Sequence, residues 1–175
     1  MMNLETNQIE ILSEELEALR DRIVANHIAA QQVASGRTIQ SMVIQVDKAG
    51  GVLYGRRAFG TLETGRKAGA VPKSFVQIIQ QWMNDKGIVA TPIPYRRIAS
   101  DKWTPKYTPE ERGQMSLAGA IAHKIQTEGT SLFRSGGRDD IYSNEIPITI
   151  TSIKNRMAAL FELQIDTITL NKKNV

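Results

Sequence analysis

Ile9, Leu12, Leu16, Leu19 and Ile23 recur at alternating spacings of three and four, and Asn26, Ala30 and Val33 continue the series. This repeat predicts one helix of roughly seven turns with a narrow apolar seam. Asn7 followed by Glu10 reads as a capping box, and Glu10, Glu14 and Glu15 suit the positive end of the helix dipole. Ser35-Gly36 supplies the stop, with Gly36 free to turn left-handed. A thin stripe on so long a helix has to lie over a sheet or pack against another helix, so the rest of the chain must supply a partner. Asn26 in the seam either fixes register between helices or sits where the helix reaches the edge of that partner, and the edge is the expected place. The five leading seam residues are also candidates for packing between subunits.

The remaining elements predict an α+β fold. Met42, Ile44 and Val46 alternate with polar residues, Gly50-Gly51 reads as a turn, and Val52-Leu53-Tyr54 starts a return strand. Ala58, Phe59 and Leu62 fit a short helical turn, after which Gly60, Gly65 and Gly69 make loop. A helix is expected from about Lys73 to Lys86, capped by Ser74 and Gln77, ended by Gly87, and buried through Phe75, Ile78, Ile79 and Trp82. Four prolines between 89 and 109 forbid a regular element there and read as an interaction arm. Thr108-Pro109-Glu110-Glu111 is a strong helix start, and that helix runs to Gly129 through Met115, Ala118, Ile121, Ala122 and Ile125. A polar loop from 130 to 144 leads to a last helix through Ile146, Ile150, Ile153, Met157 and Leu160, with Pro147 in its first turn. Residues 163–170 read as a closing strand. With 175 residues, the chain is long enough for one domain with its own core, spanning 1–175.

Chemistry is sparse. The chain has no cysteine, which excludes disulfides, thiolate metal sites and thiol nucleophiles, and its only imidazoles are His27 and His123. Both histidines fall within expected helices, and no serine lies in a nucleophile-elbow sequence. Residues 60–67 space two glycines five apart but follow them with Arg66-Lys67, so no phosphate loop forms, and residues 55–60 do not make a dinucleotide fingerprint. Asp139, Asp140 and Glu145 offer oxygens to a hard cation, although adjacent aspartates also make turns. No apolar run is long enough to span a membrane, and the polar, acidic first fifteen residues are not expected to be a signal or transit peptide.

The net charge of +4 is distributed unevenly. Residues 1–36 carry two arginines against six acids, residues 37–106 twelve cations against four acids, and residues 107–175 eight of each. An acidic start and a basic middle suit either a polyanion-facing surface or complementary contacts between subunits. The candidates are Arg56, Arg57, Arg66, Lys67, Lys73, Arg96 and Arg97. They sit on a strand end and on loops, with no helix-turn-helix or RNA-binding motif around them, so they suit phosphates and do not read bases.

The order of several pieces resembles the neck and tail-completion proteins of tailed bacteriophages. Ser35-Gly36-Arg37-Thr38 with Ser41 closes the first helix before the hairpin. Ala58-Phe59 with Leu62-Glu63 and Gly65-Arg66 resembles the aromatic–x–x–hydrophobic–Glu–x–Gly segment. Val71-Pro72 followed by Ile78 or Ile79, Trp82, Lys86 and Gly87 resembles the proline, helix, Trp and Lys-Gly run, and Ala118 to Gly129 the helix ending in Ile and Gly. The resemblance covers about residues 35–130 and implies a head-to-tail connector: a virion subunit assembled in the host cytoplasm, without catalysis, cofactor or metal. Its implied partners are copies of itself in a ring, adjacent portal, adaptor or tail proteins, and DNA passing through the channel, with no membrane. In that setting Arg56, Arg57, Arg66 and Lys67 are expected at the lumen or a subunit contact. Two alternatives stand beside it: a non-specific nucleic-acid-binding module, and a metal-dependent nuclease built on the 139–145 acids.

Overall fold

The computed structural model describes residues 4–95 and 105–173, with side chains as far as 166. Its elements in order are α1 (Leu4–Ala29), α2 (Arg37–Gln40), β1 (Val43–Asp47), β2 (Gly50–Tyr54), a 3-10 turn (Arg57–Gly60), α3 (Thr61–Thr64), α4 (Phe75–Asp85), α5 (Pro109–Glu128), α6 (Ser131–Arg134) and α7 (Glu145–Lys173). The fold is α+β, with one two-stranded antiparallel sheet among the described residues. It gathers into two compact units. The first combines the chain up to Glu63 with the chain from Arg138 onward, and the second is Thr64–Gly137.

In the first unit the seam of α1 packs on the hairpin, and another side of the helix meets α7. Leu16, Leu19 and Ile23 bury with Met42 and Ile141, flanked by Ile44, Val46 and Leu53 from the hairpin. Ile23 is 2% exposed, and burying a side chain of that size contributes about 1.5–3 kcal/mol. Three of the five proposed subunit-packing residues are therefore spent inside their own unit; Ile9 and Leu12 stay half-buried. Asn26 lies at the edge of the packing, donating to the Ile141 carbonyl (3.4 Å) and Glu145 Oε1 (3.3 Å).

Several boundaries differ from the expectation. The helix is already formed at Leu4, with Glu5 in its first turn, so Asn7 and Glu10 lie inside it and make no box. It ends at Ala29, where Gln31 turns left-handed at φ 55°. Gly36, at φ 73°, instead opens α2. The hairpin turns at Lys48-Ala49, because Asp47 Oδ1 accepts the N–H groups of Ala49 (2.7 Å) and Gly50 (3.2 Å). Gly51 is left in the strand, where a Cβ would sit 2.6 Å from Leu16 Cδ1. Its bareness lets the sheet close on α1. The expected closing strand at 163–170 is helix, since α7 continues to Lys173.

In the second unit α4 and α5 pack through Ile79, Met83, Ala118 and Ala122. Alanines on α5 let α4 approach closely, and the flexible Met83 side chain fills the seam at 0% exposure. This rotates α4 away from the expected face: Ile78 and Trp82 are 50% and 38% exposed, so Trp82 is not a core anchor. Ser74, at ψ 16°, makes no side-chain cap. The start of α5 is as expected: Thr108 N–H donates to Glu111 Oε2 (2.8 Å) and Glu111 N–H to Thr108 Oγ1 (3.2 Å), with Pro109 at the first position. The described part of the proline-rich arm is tied to α5, with Ile93 N–H on the Pro109 carbonyl (2.9 Å) and the Arg112 guanidinium over the Tyr95 ring. Residues 130–144, expected as loop, include α6, capped by Thr130.

The arm passes closest to α5 at Gly113, where a Cβ would lie 2.3 Å from the Thr91 carbonyl oxygen. Backbone cannot yield as a side-chain tip can, so Gly113→Ala is expected to destabilise this unit by about 1–3 kcal/mol. Hydrogen exchange of the α4 and α5 amides will read the loss, and amides of α1 and the hairpin will keep their protection.

Candidate functional site

The basic candidates separate on folding. Arg56 and Arg57 are exposed just past β2, with the Arg56 backbone N–H held by Ser41 Oγ (3.1 Å). Arg66 folds onto its own loop: Nη2 donates to the Ala70 carbonyl (2.7 Å), and the guanidinium lies 5.3 Å from the Phe75 ring centroid. It is a structural cation. Lys67 and Lys73 are exposed in the second unit. Arg96 and Arg97 lie outside the described residues.

The acids at 139–145 also go different ways. Arg138 clasps Asp140 through Nε (2.5 Å) and Nη2 (2.6 Å), and this pairing holds the Asp140 carboxyl below its ordinary value. Glu145 faces α1, accepting from Arg22 Nε at 2.7 Å. Among the described residues no three His, Asp or Glu side chains are grouped to hold a metal ion. His27 is buried on α1, and His123 is exposed on α5.

The best-furnished polar centre is Glu63, named in the sequence only as part of a motif. It is 3% exposed. Its Oε1 accepts three successive backbone N–H groups, from Ile141 (2.9 Å), Tyr142 (2.7 Å) and Ser143 (2.9 Å), and Oε2 accepts the Ser143 hydroxyl (2.5 Å). The Glu63 carbonyl takes the Arg138 N–H (2.9 Å). Burial pushes the carboxyl up, but the Ser143 hydroxyl and the three N–H groups together outweigh it, so the acid lies below its ordinary value. Burial, then the Glu63 charge, raises the Tyr142 hydroxyl. With four donors committed to it, the carboxylate serves as a clamp on residues 141–143. Beside it Phe59 stacks on Tyr142, with ring centroids 5.1 Å apart.

A polar ladder joins α1 to α7. Arg22 reaches Glu145 and Thr149 Oγ1 (2.7 Å), and Glu15 accepts from Ser152 Oγ (2.9 Å) and Arg156 Nη1 (3.0 Å). Arg156 also reaches Glu14 through Nη2. Burial raises the Glu15 carboxyl, whereas Arg156 and Ser152 lower it further, for a net decrease. Because 145, 149, 152 and 156 form the inward face, the neighbouring isoleucines of α7 point out: Ile146, Ile148 and Ile150 are exposed.

The sign of the Glu63 shift sets a pH dependence. Its stabilisation is complete above the pKa it has in the unfolded chain and is lost as pH falls through the depressed folded value. Glu63→Gln is expected to cost about 2–4 kcal/mol at neutral pH, since buried donors lose a charged acceptor. Urea unfolding of both proteins between pH 7 and pH 3 will show the gap narrowing toward acid; a gap independent of pH contradicts the role of the charge.

Comparisons with protein-family models, with curated proteins and with solved structures return no match.

Proposed function

We propose that the chain is a structural subunit of a ring in the neck or tail-completion region of a tailed-phage particle, joining the portal side of the head to the tail around the DNA channel. The observation that carries the reading is the ordered segment Phe59–x–x–Leu62–Glu63–x–Gly65, whose residues all serve architecture. Phe59 stacks on Tyr142, the Leu62 carbonyl accepts from Gln32 Nε2 (2.8 Å), and Glu63 clamps residues 141–143. Gly65, at φ 68°, sits where a Cβ would meet the Phe133 nitrogen at 2.6 Å. A family likeness concentrated on joints of the fold supports a building block over an enzyme. Small cores and the exposed isoleucines of α7 support burial completed by neighbours.

Mass determination and reconstruction of particles purified from cells carrying the gene test this. The expected result is the chain in stoichiometric amount at the head–tail joint, as a closed ring. Absence from particles, together with divalent-dependent DNA cleavage, favours the nuclease alternative; absence with salt-dependent DNA retention by the isolated monomer favours the nucleic-acid module.

A further inference from the structure

Two surfaces of the first unit face opposite ways and complement each other. The inner face of the hairpin packs on α1, so its outer face looks away from that helix. There Val43, Val52 and Tyr54 are 52%, 47% and 51% exposed. Cross-strand pairing brings Val43 against Tyr54, making one apolar patch. Exposed cations bound it in sequence: Lys48 at the turn, and Arg56 and Arg57 just past β2. Among the described residues none of these three side chains has an ion-pair or hydrogen-bond partner.

Half a turn around α1 from its seam runs the second surface. Glu10, Glu14, Glu17, Asp21, Ala25 and Ile28 are exposed along one stripe, opposite the side that meets the hairpin. Arg156 and Arg20 partner Glu14 and Asp21. Glu10 and Glu17 have no such partner among the described residues. Ile28 is 57% exposed at the C-terminal end of the stripe.

We infer that the outer face of the hairpin in one copy seats on the acidic stripe of α1 in the next, with Arg56 and Arg57 meeting Glu10 and Glu17 and the Tyr54–Val52 patch running toward Ala25 and Ile28. Phosphate binding requires cations alone; an apolar patch flanked by them suits a protein surface with an acidic rim. A two-fold contact would set like charge against like at either surface. Opposite signs on opposite faces specify a head-to-tail contact, which closes as a ring when its rotation permits. The inference rests on the self-assembling ring reading and identifies its contact.

Because the chain lacks cysteine, disulfide trapping has no background. The full chain carrying both Glu17→Cys and Tyr54→Cys is expected to give a ladder of covalent dimers, trimers and larger species on oxidation. Either substitution alone is expected to give none, since each places its thiol on only one side of the contact. Independently, Glu10→Lys with Glu17→Lys, or Arg56→Glu with Arg57→Glu, is expected to raise the half-assembly concentration about tenfold, and the four together to recover most of it. Light scattering across a concentration series reads this, with circular dichroism checking the fold. Assembly unmoved by either reversal, with no ladder, overturns this contact while leaving a ring intact. Loss of DNA retention with unchanged assembly in Arg56→Glu/Arg57→Glu makes the hairpin a phosphate face and also overturns it. A chain monomeric at every concentration and absent from particles removes the ring reading and the contact together.

Discussion

A buried carboxylate is tolerable only when it is well hydrogen-bonded, and Glu63 meets that condition by drawing in three N–H groups and one hydroxyl from residues 141–143. Three successive backbone donors converging on one oxygen fix the path of the chain there. The turn places Ile141 in the core at 0% exposure and Tyr142 against Phe59. Two residues later α7 begins, already aimed along α1. Residues nearly eighty apart in sequence are thereby registered by one side chain, and the carbonyl of the same residue holds Arg138 where the chain returns to the first unit.

That registration explains why α7 turns an unexpected face to α1. Once Glu145 is set beside Arg22, the helical repeat brings Thr149, Ser152 and Arg156 successively onto the same side, opposite Glu15 and Glu14. The contact is largely polar and partly exposed, and bonds of that kind contribute modestly one by one. The isoleucines are the cost. Stability in the first unit therefore comes from the other side of α1, where Leu16, Leu19 and Ile23 meet the hairpin, and the outer surface of α7 keeps its apolar character.

Elements with strong local signals were legible from the residues. The seam of α1, the alternating hairpin and the Thr108-Pro109-Glu111 start are fixed by contacts within a few residues, so periodicity and capping find them. Harder were features set by a distant partner. Met83 takes the core position expected for Trp82 because Ala118 and Ala122, more than thirty residues away, decide how close α4 approaches. Gly50-Gly51 resembles a turn, but Asp47 makes the turn two residues earlier and Gly51 is left in the strand facing Leu16. Glu63 carried a faint signal, an acid next to Leu62 in a glycine-flanked run; its donors are backbone groups, which every sequence has and no sequence displays. The ladder was visible in principle, as Glu145, Thr149, Ser152 and Arg156 at helical spacing opposite Glu14, Glu15 and Arg22, but the isoleucines beside it suggested a different inward face.

Charge makes the same point about partners. A segment with twelve cations against four acids invites a polyanion, yet what each cation can bind depends on whether the fold has already used it. Arg66 is spent on the Ala70 carbonyl and the Phe75 ring, and only a structure separates it from Arg56 and Arg57. On the acidic side Glu15 is spent on Arg156 and Ser152, whereas Glu10 and Glu17 project outward. Subtracting the internal pairs leaves cations beside an apolar sheet face and acids on the far side of a helix in the same unit. A free polyanion would answer only the first of these surfaces; a second copy of the chain answers both, because it brings the missing complement of each.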